Sequence, residues 1–161
     1  MANDLKQRFE RRIDDLILQI ETVGKNDDND EVVSNLSKYL CILISGYTEK
    51  VFVDLIVRHY NNRTSPQLVR FISHKLKYVT NLNLQKIEKI LNAFDSEWVA
   101  VLQKKMNYDI YTDSLSTIYG NRNNIAHGGI STITVSTLKE AYHYIKELIE
   151  EIRKIINTKG L

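Results

Sequence analysis

A single cysteine, a single proline and a single tryptophan among 161 residues set the first limits on this chain. One thiol cannot close an internal disulfide. Cys41 lies in the apolar run Tyr39-Leu40-Cys41-Ile42-Leu43-Ile44, where packing accounts for it better than nucleophilic chemistry. A reducing compartment suits such a chain, and a cytoplasmic location is expected. One proline and six glycines leave long stretches free to be helical. No run approaches the ~20 apolar residues that a membrane span needs, and the start, Met1-Ala2-Asn3-Asp4-Leu5-Lys6, lacks a leader-peptide pattern. Excess charge of one sign is missing too. With 22 Lys and Arg against 20 Asp and Glu the net charge is +2, so a nucleic-acid partner has to be argued from a local site. Repeats, low-complexity tracts and linkers are absent. With 43% hydrophobic and 26% charged residues, the expectation is one all-α domain over residues 1–161, long enough to bury an ordinary core.

Helical periodicity fills most of that length. Leu5, Phe9, Ile13, Leu16, Ile17, Ile20 and Val23 recur at spacings of three and four, predicting an amphipathic helix that ends near Gly24. The acidic stretch Asn26-Asp27-Asp28-Asn29-Asp30 lacks the glycine and the glutamate of a calcium loop, so Asp28 or Asp30 is expected to cap the next helix instead. That helix should run from Glu31 to about Tyr60, with a middle, Tyr39 to Tyr47, apolar nearly all round and so covered on several sides. Ser65-Pro66 opens a further helix, as N-cap and first helical residue. On it Arg70, His74 and Lys77 share a face with Lys75 alongside, a cationic strip that is either a solvated surface or a track for a phosphate backbone. Asn83 caps a segment with Leu84, Ile87, Ile90, Leu91 and Phe94 inward, and Glu97 to Leu102 forms another helix with Trp98 as an anchor. Lys104 to Asp113 shows no clean period. Ile130 to Val135 reads as a connector, and Thr137-Leu138-Lys139-Glu140 as a capping box opening the last helix.

The chemistry gathers in Tyr119-Gly120-Asn121-Arg122-Asn123-Asn124-Ile125-Ala126-His127-Gly128-Gly129. At about 100° per residue, Asn123 and His127 share a helix face, whereas Arg122 and His127 diverge by about 140°. Leu115, Ile118, Arg122, Ile125 and Ala126 fall on one arc, so the guanidinium leaves the stripe expected to be buried and calls for an anionic partner. Glu49, on the apolar background of the core helix, is the candidate counterion; its other reading is an exposed carboxylate beside a lysine. Gly128-Gly129 stops the helix and leaves His127 at the negative end of its dipole, a setting suited to acid/base work.

An Arg followed by a polar residue and then, after four intervening positions, a His framed as Ala126-His127-Gly128 resembles the motif of the HEPN superfamily of helical ribonucleases. The glutamate-bearing core helix, the Pro-led helix, the Asn-Leu-rich stretch and the Phe94 to Trp98 segment further resemble the RiboL-PSP and MAE-type HEPN nucleases, over most of the chain. The resemblance implies an antiparallel helical bundle of the HEPN type with extra short helices, which dimerises through the motif helices. Two copies of Arg122 and His127 would then share one cleft, with Gly120 allowing close approach. It also implies cleavage of RNA by attack of the 2′-hydroxyl on the adjacent phosphate, without metal or other cofactor. In that reaction His127 moves the proton, Arg122 neutralises the phosphorane, Asn123 orients the histidine or a phosphate oxygen, and Glu49 holds Arg122. A toxin or effector role in prokaryotic defence, with RNA as substrate and a cognate antitoxin or regulatory protein as partner, follows from the same resemblance. Two other classes stay open: a noncatalytic module of this type binding nucleic acid, nucleotide or a protein, and a plain interaction protein in which the motif is coincidence.

Overall fold

Thirty-two residues without a proline make α2, Asp30–Asn61, the axis of the fold. The computed structural model describes residues 4–158; Met1–Asn3, read above for a leader pattern, lie outside them. Around α2 stand α1 (Asp4–Val23), α3 (Pro66–Leu76), α4 (Leu84–Phe94), α5 (Ser96–Gln103), α6 (Tyr108–Ala126) and α7 (Val135–Asn157), with no strand among the described residues. The class is all-α, as expected.

Side-chain pairs fix the directions. Glu10 meets Tyr47 and Arg12 meets Tyr39, so α1 runs antiparallel to α2. Tyr47 meets Tyr142 and His59 meets Asn157, so α7 runs parallel to α2. Glu21 with Lys139 and Lys6 with Glu150 set α1 antiparallel to α7. These four helices, α6 included, enclose the core, and α3, α4 and α5 are the extra short ones. Burial explains the order: α7 alone buries Leu138, Ala141, Tyr142, Ile145, Leu148, Ile149, Ile152, Ile155 and Ile156. Each large apolar side chain so removed from water contributes roughly 1.5–3 kcal/mol before entropy is charged against it.

Local signals place most ends. The Ser65 hydroxyl accepts the Leu68 N–H at 3.4 Å with Pro66 first in α3, and Asn83 Oδ1 accepts the Lys86 N–H at 2.9 Å. Cys41 is fully buried; its thiol donates to the Ile118 carbonyl at 3.4 Å and burial pushes its pKa up to about 11, consistent with a packing role.

Two expectations need correction. Neither Asp28 nor Asp30 caps α2: a 3-10 turn, Asp27–Asn29, runs straight into it, and Asn29 spends its amide on the Val23 carbonyl at 3.2 Å, tying the turn back to α1. The last helix starts before the supposed capping box, because Thr134 accepts the Thr137 N–H at 3.2 Å and so takes the N-cap position itself. The middle of α2, by contrast, is covered on several sides as expected, by α1, α6 and α7, with one arc left open. On that arc Tyr39 and Ile42 remain 47% and 43% exposed.

Candidate functional site

The last turns of α6 carry Arg122, Asn123 and His127. Helix α6 lies against α2 and α7 through Tyr111, Leu115, Ile118 and Tyr119, so its opposite face looks outward. Ser116, Gly120 and His127 are exposed there and Asn123 partly so. A ring-closing pattern ends the helix: Gly128 N–H donates to Ile125 O at 3.2 Å and Gly129 N–H to Asn124 O at 2.7 Å. Both glycines are needed. Gly128 holds φ at +71°, the left-handed region, and a Cβ on Gly129 would stand 3.0 Å from the Asn124 carbonyl oxygen. His127 is the C-cap residue, its backbone N–H bonded to Asn123 O at 3.1 Å and its imidazole in solvent. The connector then folds back on the helix, where the buried Ser131 hydroxyl donates to Asn121 Oδ1 at 2.9 Å.

Arg122 departs from expectation. It is half-buried, and Nη1 donates to Asn123 Oδ1 at 3.3 Å. Among the described residues no carboxylate comes within ion-pair distance of it. The Cβ directions do diverge, but the guanidinium stands two methylenes beyond Cβ, long enough a stem to bring it to the amide of Asn123. Water at the exposed edge supplies the solvation that a fully buried arginine would lack.

Glu49 is partly buried on α2, and its Oε1 accepts the Asn81 N–H at 2.8 Å instead of pairing with Arg122. Asn81 adopts φ of +53°, a left-handed turn residue between α3 and α4. The carboxylate thus pins that connection to the core helix. Both charged groups nonetheless act on one atom. The Tyr119 hydroxyl donates to Ser45 O at 3.4 Å, and its pKa is raised by burial first and by the Glu49 carboxylate second, while Arg122 opposes the rise. Tyr119 therefore feels both charges, with opposite sign. The sequence offered a signal for it, a tyrosine three residues before Arg122 on the same inward arc.

Arg70, His74 and Lys77 are all exposed on α3 and its end. Lys77 lines one cavity with Glu49, which places the near end of the cationic strip beside the 77–82 connection. Among the described residues no three His, Cys, Asp or Glu side chains are grouped so as to hold a metal ion.

An all-α bundle whose late helix ends in an Arg, a polar residue and a His at this spacing defines a HEPN-type domain. The RiboL-PSP-HEPN family model matches residues 7–158, and the chain belongs to that family. No curated protein and no solved structure matches it.

Proposed function

We propose that this chain is an endoribonuclease that cuts RNA through its own 2′-hydroxyl. Membership of a family whose domains are generally ribonuclease-like supports the reading, and one observation carries it: Arg122 and Asn123 joined at 3.3 Å on the outward end of α6, one turn from an exposed histidine. In the reaction the 2′-oxygen forms a bond to phosphorus as its proton leaves. The bond to the 5′-oxygen breaks, and that oxygen takes up a proton, giving a 2′,3′-cyclic phosphate and a free 5′-hydroxyl. His127 handles one of these protons, and Arg122, oriented by Asn123, faces the charge that builds on the phosphorane oxygens. Glu49 supports the site from the side by fixing the 77–82 connection, and Arg70, His74 and Lys77 carry the backbone of the bound strand.

A second copy completes the cleft in this reading. The open arc of α2 with Tyr39 and Ile42 supports it, as does Gly120, on which an added Cβ would meet nothing within 4 Å. A glycine that no neighbour in its own chain requires is costly in a helix and suits a partner helix at close range. A toxin or effector role, and a cytoplasmic setting, complete the proposal.

Incubation of the purified chain with single-stranded RNA and with its 2′-deoxy counterpart, both in EDTA, tests the chemistry. RNA is expected to be cut with cyclic phosphate ends and the deoxy strand to survive. Cleavage of both, or strict dependence on Mg²⁺, would falsify the mechanism. RNA bound firmly and never cut would instead identify a noncatalytic binding module.

A further inference from the structure

Away from α6, helices α3 and α4 are adjacent in sequence yet make little direct contact with each other. Helix α3 lies on α2, whereas α4 turns away to α5 and α6, and the gap between them is a cavity of about 490 Å³. Its floor and walls are apolar, with Ile72, Leu76, Ile90 and Phe94 among them, and Phe71 on the α3 lip is 56% exposed. Phe71 and the apolar floor together form one contiguous uncovered patch rimmed by charge, the kind of surface that marks a contact site.

Charge decides what covers it. Lys75 stands on the α3 lip, and Lys86 and Lys89 on the α4 lip, while no carboxylate lines the cavity. Among the described residues none of the three forms an ion pair: Lys75 lies 5.4 Å from the Phe71 ring centre and Lys86 donates to the Thr80 carbonyl. The nearest acid on α4, Glu88, faces the other way, accepting from Gln103 and Tyr108. A nucleobase fits poorly, because the cavity wall offers its edge no hydrogen-bonding group except the ammonium groups at the rim. Apolar side chains at i, i+4 and i+7 fit well, provided acidic residues flank them on both sides.

We propose that the α3–α4 groove receives an amphipathic helix of a partner protein, its apolar stripe seated between Phe71 and Phe94 and its flanking carboxylates against Lys75, Lys86 and Lys89. The site is separate from the α6 motif and does not depend on the nuclease reading.

Fluorescence anisotropy with the full chain tests it. The probe is a fluorescein-labelled helical peptide of about fifteen residues, roughly four turns, with a leucine stripe and glutamates on both flanks. Saturable binding is expected, weakened at least about tenfold, or 1.4 kcal/mol, by Phe71→Ala. In the double variant Lys75→Glu with Lys89→Glu, preference should switch to the same peptide carrying lysine flanks, a reversal that a misfolded variant cannot produce. Absence of saturable binding overturns the proposal, as does equal affinity for the two peptides in the unaltered chain. So does loss of oligouridylate binding in Phe71→Ala, which would make RNA the occupant, or conversion of a dimer to a monomer by that variant, which would make it a second copy.

Discussion

Helices α6 and α7 lie side by side and have nearly opposite designs. Helix α7 points nine apolar residues inward and keeps its charges at the rim of that stripe and beyond, where Glu150 and Glu151 pair with Arg153 and Lys154. Helix α6 buries Tyr111, Ser114 and Tyr119 beside Leu115 and Ile118, with the Tyr111 hydroxyl donating to Glu147 at 2.6 Å, and it turns a glycine, two asparagines and a histidine outward. Burial alone accounts for the residues of α7. Burial leaves much of α6 unaccounted for, and a helix that gives up apolar area and tolerates an internal glycine is shaped by something other than stability.

Substitutions can break that contrast, beginning with the largest effect. His127→Ala removes an exposed side chain without a hydrogen-bond partner among the described residues, and RNA cleavage is expected to fall by about 10²–10⁴ while the melting temperature holds. If stability dropped along with activity, the end of α6 would be structural as well. Ile145→Ala, in the fully buried stripe of α7, should cost about 2–5 kcal/mol in urea denaturation and leave the activity per folded molecule intact. Gly128→Ala forces an L side chain to φ of +71° and is expected to cost roughly 1–2 kcal/mol, with a loss of cleavage because His127 shifts. Gly120→Ala should do the reverse for the isolated chain and raise stability by about 0.5–1 kcal/mol, since the new methyl meets nothing within 4 Å. Gly120→Arg should abolish self-association in light scattering; a dimer that persists would remove α6 from the interface.

The smallest effect is a pH dependence. Burial, at the aromatic cluster of Tyr60 and Trp98, holds the His59 imidazole below its ordinary range, while its hydrogen bond to Asn157 works the other way. The folded state therefore takes up the proton less readily than the unfolded chain. Its stability contribution is complete above the unfolded value of about 6.5 and is lost as pH falls through the lower folded one. Thermal melts from pH 7.5 to 5 should show this slope in the native chain and a shallower one in His59→Gln.

Much of the fold was legible because its helices announce themselves through apolar spacing and local caps. Ser65-Pro66 and Asn83 name their helix starts outright, and α7 is unmistakable over its whole stripe. The start of α6 was not legible. Its inward positions hold tyrosines whose hydroxyls reach Glu88 and Glu147 on other helices, so the periodic signal is carried by residues that read as polar. At the site, the motif and the stop at Gly128-Gly129 could be read from spacing. The partners of Arg122 and Glu49 could not. Angular position on a helix fixes where a side chain leaves the backbone and says nothing of where a long one arrives, and the Asn81 turn that captures Glu49 lies 32 residues away behind a left-handed backbone angle.

That capture changes what position 49 demands. A carboxylate gripping a cation is chosen for its charge, but one that receives a peptide N–H is chosen for reach and a free lone pair, both of which glutamine also has. The tether between the core helix and the α3–α4 corner should therefore tolerate the neutral amide and fail with the shorter aspartate, a matter of arm length and not of electrostatics.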